Sequence, residues 1–248
     1  MVLVSAFAFF LLPIAAVNAY NSPYQMNAVF RPAPNIDGVI AGGEWDDAST
    51  ISFNNTIVCL KQDGMNLYVA FNVSDNTVSI GQDGLQIFID VQNNGGSSPQ
   101  SDDILFGAIR GGQLTERQGN NPPGSPTGGW TALSSLNSNE WQTEFNITYA
   151  KIGITPGEAK TLGIAFESMD YSSGLPCFWP PMTPMQSNSP SNWGDLVSEV
   201  NWMPEYQPLT AALILVLATI LAFMVYKKKR TPTLSRLSSN FNRRISQS

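Results

Sequence analysis

The sequence predicts an all-β fold, an antiparallel β-sandwich domain, with one C-terminal transmembrane helix. Apolar and polar residues alternate in several short runs, and turn-forming residues separate these runs. Alternation with a period of two indicates strands with one buried face, and many short strands with frequent turns are typical of a β-sandwich. An unbroken apolar run at 209–226 stands apart from this pattern and is long enough to cross a bilayer as a helix.

Four segments carry the strongest strand signal. In each segment the alternate apolar residues share one face, and these residues are Leu67, Val69, Phe71 and Val73; Leu85, Ile87, Ile89 and Val91; Phe145 and Ile147; and Leu162, Ile164 and Phe166. Turn sequences such as Asp63-Gly64 and Asp83-Gly84 lie between them. Each segment is therefore predicted to be a strand whose apolar face lies in the sandwich core.

Two longer segments, 117–130 and 171–193, are rich in Pro, Gly, Ser and Asn and show no strand pattern. Irregular segments of this length inside a compact domain are usually functional or disordered. The aromatic residues and Cys177 in the second segment favour order. Because binding residues concentrate in loops held by a rigid scaffold, both segments are predicted to border a ligand site.

The ends of the chain predict its topology. Residues 1–19 are apolar and end in Val17-Asn18-Ala19, a small-residue pattern typical of signal-peptide cleavage. Four basic residues, 227–230, follow the apolar run and favour a cytoplasmic carboxyl terminus. The predicted organisation is a signal peptide at 1–19, an extracellular domain at 20–207 with its core at 35–200, a single-pass transmembrane helix at 208–226 and a cytoplasmic tail at 227–248.

Charge is divided between the two sides of the apolar run. All 19 acidic residues precede it, whereas more than half of the 13 lysines and arginines follow it. An acidic domain does not attract nucleic-acid phosphates, which excludes nucleic acid as a partner. The basic tail is predicted to be disordered and to contact anionic membrane lipids.

The chain contains two cysteines and three N-glycosylation sequons. An even cysteine count in an extracellular domain predicts a Cys59–Cys177 disulfide, with two separate buried thiols as the alternative. The sequons begin at Asn54, Asn72 and Asn146. Each asparagine follows or precedes an apolar residue of a strand, so its side chain is expected to point away from the core, where a glycan can be attached.

The absence of histidine limits the chemistry. It removes the usual Ser-His-Asp and Cys-His nucleophilic sites and His-ligated zinc or haem. Paired carboxylates for glycoside hydrolysis remain, and the most conspicuous pair is Asp102-Asp103. Adjacent strand residues point to opposite faces, so this pair is not expected to flank one bond. The protein is therefore predicted not to be an enzyme.

Calcium is the predicted metal, because Ca²⁺ takes six to eight oxygen ligands and carboxylates are abundant at turns and strand ends. The candidate calcium ligands are Asp37, Asp90, Asp102 and Asp103. The alternative is that each of them is a solvated turn carboxylate. No EF-hand spacing is present.

Six tryptophans are many for one domain. Tryptophan rings stack on the apolar faces of sugars, and they also fill sandwich cores. Trp45 and Trp141 lie in strand-like contexts and are predicted to be core residues. Trp130, Trp179 and Trp193 lie in or beside the two long segments and are the predicted ligand-binding residues.

Several motifs, taken in order, resemble those of family 9 carbohydrate-binding modules and the related DOMON-like β-sandwiches. These motifs are 36–38 (IDG) with 44–48 (EWDDA), 63–75 (DGMNLYVAFNVSD), 83–90 (DGLQIFID), 101–103 (SDD), 140–145 (EWQTEF) and 193–196 (WGDL). The resemblance covers residues 35–200 and implies a jelly-roll-like sandwich. Members of the family that bind sugars clamp them between two tryptophans, with calcium supporting the loops.

The resemblance implies non-catalytic binding of a polysaccharide or cell-surface glycan as the function. Other members of the family hold haem. This chain has no histidine to ligate the haem iron, and Met182 or Met185 would have to serve instead, so no haem is expected. Residues 204–206, the apolar run and the basic cluster also resemble the carboxyl-terminal anchors of archaeal surface proteins. A structural or adhesive surface protein without a small ligand is the alternative, and a haem-binding electron-transfer domain or a polysaccharide-degrading enzyme is less favoured.

Overall fold

The computed structural model describes residues 22–75, 77, 79–136, 140–172, 174–202, 216–217 and 219–224. Twelve strands run through this part of the chain: β1 (Gln25–Phe30), β2 (Ser49–Phe53), β3 (Thr56–Gln62), β4 (Asn66–Ser74), β5 (Gly84–Asp90), β6 (Asp103–Ile109), β7 (Gln113–Gln118), β8 (Trp130–Leu136), β9 (Glu140–Thr148), β10 (Thr161–Asp170), β11 (Leu175–Trp179) and β12 (Gly194–Ser198). Two short 3₁₀ turns, Gln186–Asn188 and Pro190–Asn192, precede β12. The predicted all-β domain is confirmed.

The strands form two layers. Sheet A has the order β7-β6-β5-β10-β12-β1, and sheet B has the order β1-β3-β4-β9-β8. β11 pairs with the second half of β10, and β2 pairs with β3. β1 joins the two sheets, because its first part pairs with β12 and its last two residues pair with β3.

The sandwich departs from the prediction in one respect, since not every strand pair is antiparallel. β1 runs parallel to both β12 and β3. Because β1 lies between the two sheets at their shared margin, its direction is set by two strands distant in sequence, which alternation within a strand cannot reveal.

The core lies between the inner faces of the two sheets, as the alternation predicts. Leu67, Val69, Phe71 and Val73 of β4 face Leu85, Ile87 and Ile89 of β5 and Leu162, Ile164 and Phe166 of β10 in one buried cluster. Intervening residues such as Asn72 and Asn146 lie on the outer face of sheet B. Full burial of a valine, leucine, isoleucine or phenylalanine side chain in this core stabilises the fold by about 1.5–3 kcal/mol.

Two smaller apolar clusters cover the outer faces. On sheet B, the segment before β2 packs Trp45 against Cys59 and Tyr68. On sheet A, the segment 180–193 packs Trp193 and Met182 against Phe88 and Leu105. Both sheets are therefore partly covered on the side away from the core.

The predicted disulfide between Cys59 and Cys177 is absent, and this prediction is wrong for the structure, in which both cysteines are free. Cys59 lies on the outer face of sheet B, beside Trp45 and Tyr68. Cys177 of β11 pairs with Ser168 of β10. Because Cys177 lies two residues before Trp179 on the same strand, the two side chains share the inner face of sheet A. The backbone layer of sheet B separates the two thiols.

The carboxyl-terminal unit spans Glu205–Ser248, and within it residues 216–217 and 219–224 are helical. Among the residues that the structure describes, no helix has both the length and the hydropathy needed to span a membrane. The predicted signal peptide (1–19), most of the predicted span (208–226) and the tail (227–248) lie outside the described residues.

Candidate functional sites at the two ends of the sandwich

The two ends of the sandwich differ in their charged groups. β5 runs from Gly84 to Asp90, and β6 returns antiparallel from Asp103 to Ile109. Asp83 and Arg110 therefore lie together at one end, which we call the Arg110 end. Asp90 and Asp103 lie together at the other, which we call the Asp103 end.

Three predicted metal ligands meet at the Asp103 end. One carboxylate oxygen from each of Asp90, Asp102 and Asp103 lies within 4.8 Å of the others. Asp102 can approach the other two carboxylates because it lies in the turn before β6. The alternation that separates adjacent strand residues therefore does not apply to it. The sequence-based expectation that Asp102 and Asp103 diverge does not hold at this turn.

The loop 91–102 wraps around these carboxylates through its backbone. The Gly95 N–H donates to Asp90 Oδ2 at 2.9 Å, the Gln92 N–H to Asp102 Oδ2 at 3.2 Å, and the Gln100 N–H to Asp103 Oδ2 at 2.6 Å. The other oxygen of Asp103, Oδ1, is buried and has no hydrogen-bond partner among the described residues. An unpartnered buried carboxylate oxygen is costly unless something else binds it.

The electrostatics of the cluster favour a cation. Burial, together with the neighbouring carboxylates of Asp90 and Asp102, raises the pKa of Asp103 to about 7, while the Gln100 hydrogen bond and Arg117 oppose the shift. Burial also raises the pKa of Asp90. A divalent cation between the carboxylates would relieve this repulsion, and an all-oxygen donor set of this kind suits calcium.

Asp37, the fourth predicted metal ligand, lies elsewhere. It precedes Gly38 on the outer side of sheet B, where Glu144 Oε2 accepts hydrogen bonds from the backbone N–H groups of Asp37 and Gly38. Its own carboxylate accepts the Val39 N–H at 2.9 Å and the Asn35 side chain at 2.8 Å. The structure thus brings together three of the four residues, and Asp37 stabilises a local turn.

Parts of both long irregular segments also meet the loop 91–102. Gly119, after β7, donates its N–H to the backbone carbonyl of Asp103 at 2.8 Å. In the other segment, the Ser191 N–H donates to the Gly96 carbonyl at 3.1 Å, and the Gly96 N–H donates to Ser191 Oγ at 2.7 Å. The Asp103 end is therefore bordered by three loops, which are the loop 91–102 and parts of the two long segments.

The Arg110 end is organised around a buried guanidinium. Arg110 donates to Asp75 Oδ2 at 2.6 Å and to Asp83 Oδ2 at 3.2 Å, and it lies 5.7 Å from the ring centre of Trp141. All four side chains are buried. A charge removed from water in this way is stable only with partners, and two carboxylates and an aromatic face supply them.

Asp83 connects this buried cluster to the loops above it. Its Oδ1 accepts the Tyr171 N–H at 3.0 Å, and its Oδ2 accepts the Ser79 N–H at 2.9 Å. The hydroxyl groups of Thr77 and Ser172 lie 2.7 Å apart and form a direct link between the loop before β5 and the loop after β10. The backbone around Tyr171 is therefore held in place by side chains buried beneath it.

Three large apolar side chains are exposed at this end. Ile80 is 65% exposed, Tyr171 51% and Leu175 69%. Asp170 adjoins them, and its Oδ1 accepts the N–H of Ser172 at 2.8 Å and its hydroxyl at 2.6 Å. The Arg110 end thus presents an exposed aromatic ring beside a carboxylate and two hydroxyl groups.

The three predicted ligand tryptophans differ in exposure. Trp130 is 8% exposed, stacks on Phe145 with ring centres 6.1 Å apart, and donates its indole N–H to Glu116 at 2.7 Å. Trp193 is 2% exposed and packs on Phe88. Trp179 is partly exposed and packs between Tyr24 and Phe166. Of the three, Trp179 is the most exposed.

Tyr171 is a candidate that the sequence reasoning missed. It opens the irregular segment 171–193, directly after the strand that contains Leu162, Ile164 and Phe166. The signal that could have identified it is its position in the tight turn Asp170–Gly174 that joins β10 to β11, because a large side chain at a hairpin tip has few neighbours to bury it.

The three sequon asparagines lie on the outer side of sheet B. Asn54 is exposed in the turn between β2 and β3, and the half-buried Asn72 and Asn146 lie on the outer face. All three asparagines point away from the core, in agreement with the expected geometry. Glycan attachment itself stays a prediction.

No protein-family profile and no curated protein matches the chain. Among solved structures, the chain is similar to a family 9 carbohydrate-binding module from Caldicellulosiruptor kristjanssonii in complex with cellotriose, with 18% identity and a TM-score of 0.56 over 71% of this chain and 94% of that one. It is also similar to a module from the same organism in complex with glucose, with 19% identity and a TM-score of 0.52 over 71% and 96%. At these identities the similarity establishes the fold and not the ligand.

Proposed function

We propose that the β-sandwich binds carbohydrate without catalysis, through a platform formed by Tyr171 at the Arg110 end. The observation that carries this proposal is the exposed Tyr171 ring, whose backbone is held by Asp83 and whose neighbours are Asp170, Ser172 and Thr77. An aromatic face stacks on the C–H surface of a sugar ring, and adjacent carboxylate and hydroxyl groups bind its hydroxyls. The sugar-bound modules of the same fold support this ligand class.

Trp179 is retained as a second proposed ligand contact, because it is the most exposed of the three predicted tryptophans. Trp130 and Trp193 are assigned a packing role, since each ring is almost fully covered by neighbouring side chains. A buried ring contributes to the stability of the loops that it anchors rather than to stacking with a ligand.

Calcium is proposed to bind Asp90, Asp102 and Asp103 in a structural role. The cation would neutralise the buried charge, take the unpartnered Asp103 Oδ1 as a ligand and tie the loop 91–102 to the ends of β5 and β6. In this role calcium supports the loops at the Asp103 end and takes no part in the Tyr171 platform.

The protein is further proposed to be a single-pass surface protein of the cell membrane, with the β-sandwich outside. This proposal rests on the apolar run 209–226 and the basic cluster that follows it. Labelling intact cells with a membrane-impermeant lysine reagent would modify Lys160 of the sandwich and spare Lys227–Lys229. The opposite labelling pattern would reverse the proposed orientation.

The direct test of carbohydrate binding is calorimetry on the full chain in detergent micelles, with glucose and cellotriose as probes. We expect saturable binding that Tyr171→Ala weakens at least about tenfold, which corresponds to about 1.4 kcal/mol. Tyr171→Phe should keep most of the affinity, because it keeps the ring face. Leu133→Ala is the control, since Leu133 is 48% exposed and lies on β8 of sheet B.

Unchanged affinity in the folded Tyr171→Ala variant would remove the Tyr171 platform from the proposal.

If the wild-type chain binds no glycan on a glycan array, the alternative of an adhesive surface protein is favoured. The exposed Ile80, Tyr171 and Leu175 support that alternative, because a shared apolar end can associate with a second copy. Analytical ultracentrifugation would then detect a concentration-dependent dimer.

A further inference from the structure

A second concave site lies at the Asp103 end, between the loop 91–102 and the residues that follow β7. The groove has a volume of about 420 Å³. Its walls carry four carboxamides, one hydroxyl and a proline ring, from Gln100, Gln118, Asn120, Asn121, Ser101 and Pro99. None of its lining residues is charged, so its chemistry suits a neutral ligand that is rich in hydroxyl groups.

Three of the carboxamides are held in position by hydrogen bonds that use their N–H groups. Gln118 Nε2 donates to the Ser101 carbonyl at 2.8 Å, and Asn120 Nδ2 donates to the Pro99 carbonyl at 2.8 Å. Gln100 Nε2 donates to the Gly95 carbonyl at 2.6 Å. Within the described part of the chain, nothing donates to Gln118 Oε1 or Asn120 Oδ1, so these oxygens remain as acceptors at fixed positions.

The two walls of the groove are locked together at Gly119. This residue has a φ of +57°, and a Cβ atom at its position would lie 2.8 Å from the Gln100 carbonyl oxygen. The Gly119 N–H also donates to the Asp103 carbonyl. A groove whose polar groups are fixed before binding loses little conformational entropy when a ligand enters.

We propose that this groove is a second saccharide site, which accepts the hydroxyl groups of a neutral sugar on the carboxamide oxygens of Gln118 and Asn120. The sugar class rests on the proposed function, whereas the location rests on the groove itself. The lining of the groove offers no charged group to pair with an acidic sugar, which favours a neutral ligand.

The two sites would make the module bivalent. β5 has seven residues, and it separates the Arg110 end from the Asp103 end by roughly 20 Å at about 3.3 Å per residue. Two sites at opposite ends cannot enclose one short sugar, but they can hold two chains or two parts of one polymer. Binding to a polymer would then exceed the affinity for a free sugar.

The test is the stoichiometry of glucose and cellotriose binding to the full chain in detergent micelles, measured by calorimetry. We expect two sugars per wild-type chain, and one in the double variant Gln118→Ala/Asn120→Ala, whose changes lie on exposed side chains. The remaining binding should depend on Tyr171. Asn27→Ala is the control, because Asn27 is an exposed carboxamide on β1, outside the lining of the groove.

Each other result has a defined meaning. One sugar per chain that is lost in Tyr171→Ala and unaffected in the double variant would overturn the groove site and keep the proposed function. One sugar lost only in the double variant would support the groove and overturn the Tyr171 platform. No sugar bound at either end would overturn both.

A second measurement tests the groove site even if the double variant fails to fold. In ¹⁵N-labelled wild-type protein, glucose should shift the side-chain amide resonances of Gln118 and Asn120. The side-chain amide resonances of Asn27 should stay in place. Unshifted Gln118 and Asn120 signals at saturating glucose would overturn the groove site without any substitution.

Discussion

The aromatic residues of this protein differ mainly in which neighbours cover them. Trp130 and Trp193 occupy irregular regions of the sequence, yet their rings are covered by Phe145 and Phe88, and each indole N–H has a buried acceptor. Tyr171 lies at a hairpin tip with half of its surface exposed. At the scale of single residues, exposure and not residue type separates the candidate ligand contact from the packing residues.

The carboxyl group of Asp103 supports a prediction at the same scale. Asp103→Asn removes one buried negative charge while an amide oxygen can still accept the Gln100 N–H. In the presence of a chelator we expect the variant to melt at a higher temperature than wild type, because repulsion from Asp90 and Asp102 is relieved. Added CaCl₂ should raise the melting temperature of wild type and leave that of the variant unchanged.

Asp37→Asn is the control for this experiment, since Asp37 lies on the outer side of sheet B and should leave the calcium response intact. A calcium response that persists in Asp103→Asn, or that disappears in Asp37→Asn, would contradict the assignment of the metal site. Differential scanning calorimetry at neutral pH would measure both effects.

At the scale of elements, the loops are shaped by a few backbone positions. Gly119 lies where the chain leaves β7 and passes within van der Waals contact of the loop 91–102. Its positive φ and the 2.8 Å separation from the Gln100 oxygen leave no room for a side chain. The convergence of the three loops at the Asp103 end depends on this close approach.

Gly119→Ala is therefore expected to destabilise the domain by about 1–3 kcal/mol, because backbone strain and a steric contact add together. A change of this size lowers the melting temperature by several degrees in a domain of this length. Gly112→Ala is the matched control, since Gly112 also has a positive φ but a Cβ atom there meets nothing within 4 Å. Equal losses in the two variants would mean that the contact with Gln100 contributes nothing.

At the scale of the whole molecule, buried carboxyl groups link stability to pH. Burial raises the pKa of Glu167 to about 7, with Arg117 as the opposing charge, and Asp103 has a similarly raised pKa. In an unfolded chain such groups have a pKa of about 4. The folded protein therefore holds more protons than the unfolded chain between about pH 4 and pH 7, and its stability falls as the pH rises through this range.

In the presence of a chelator, we expect the melting temperature to be lower at pH 7.5 than at pH 5. Glu167→Gln should reduce this difference, because the glutamine has no proton to lose. Glu140→Gln, on β9 of sheet B, is the control and should leave the difference unchanged. A melting temperature that rises from pH 5 to pH 7.5 in the wild-type protein would contradict the raised pKa values.

The sequence by itself determined the strands and their faces. Alternation is a local property, and one buried face along a strand imposes it directly, so β4, β5, β9 and β10 and the outward direction of Asn72 and Asn146 follow from the residues alone. The low count of positive charge before residue 209 excludes a nucleic-acid site, and the absence of histidine excludes His-based nucleophilic and metal sites. Neither conclusion needs a structure.

Only the tertiary structure decided which side chains meet. Asp102 and Asp103 join Asp90 because β5 and β6 pair, Asp37 stays apart because its segment packs on the other sheet, and the two cysteines lie on different layers. Burial of Trp130 depends equally on other strands, which supply Phe106 and Phe145. These outcomes are set by the packing of remote elements, and no pattern within one segment carries that information.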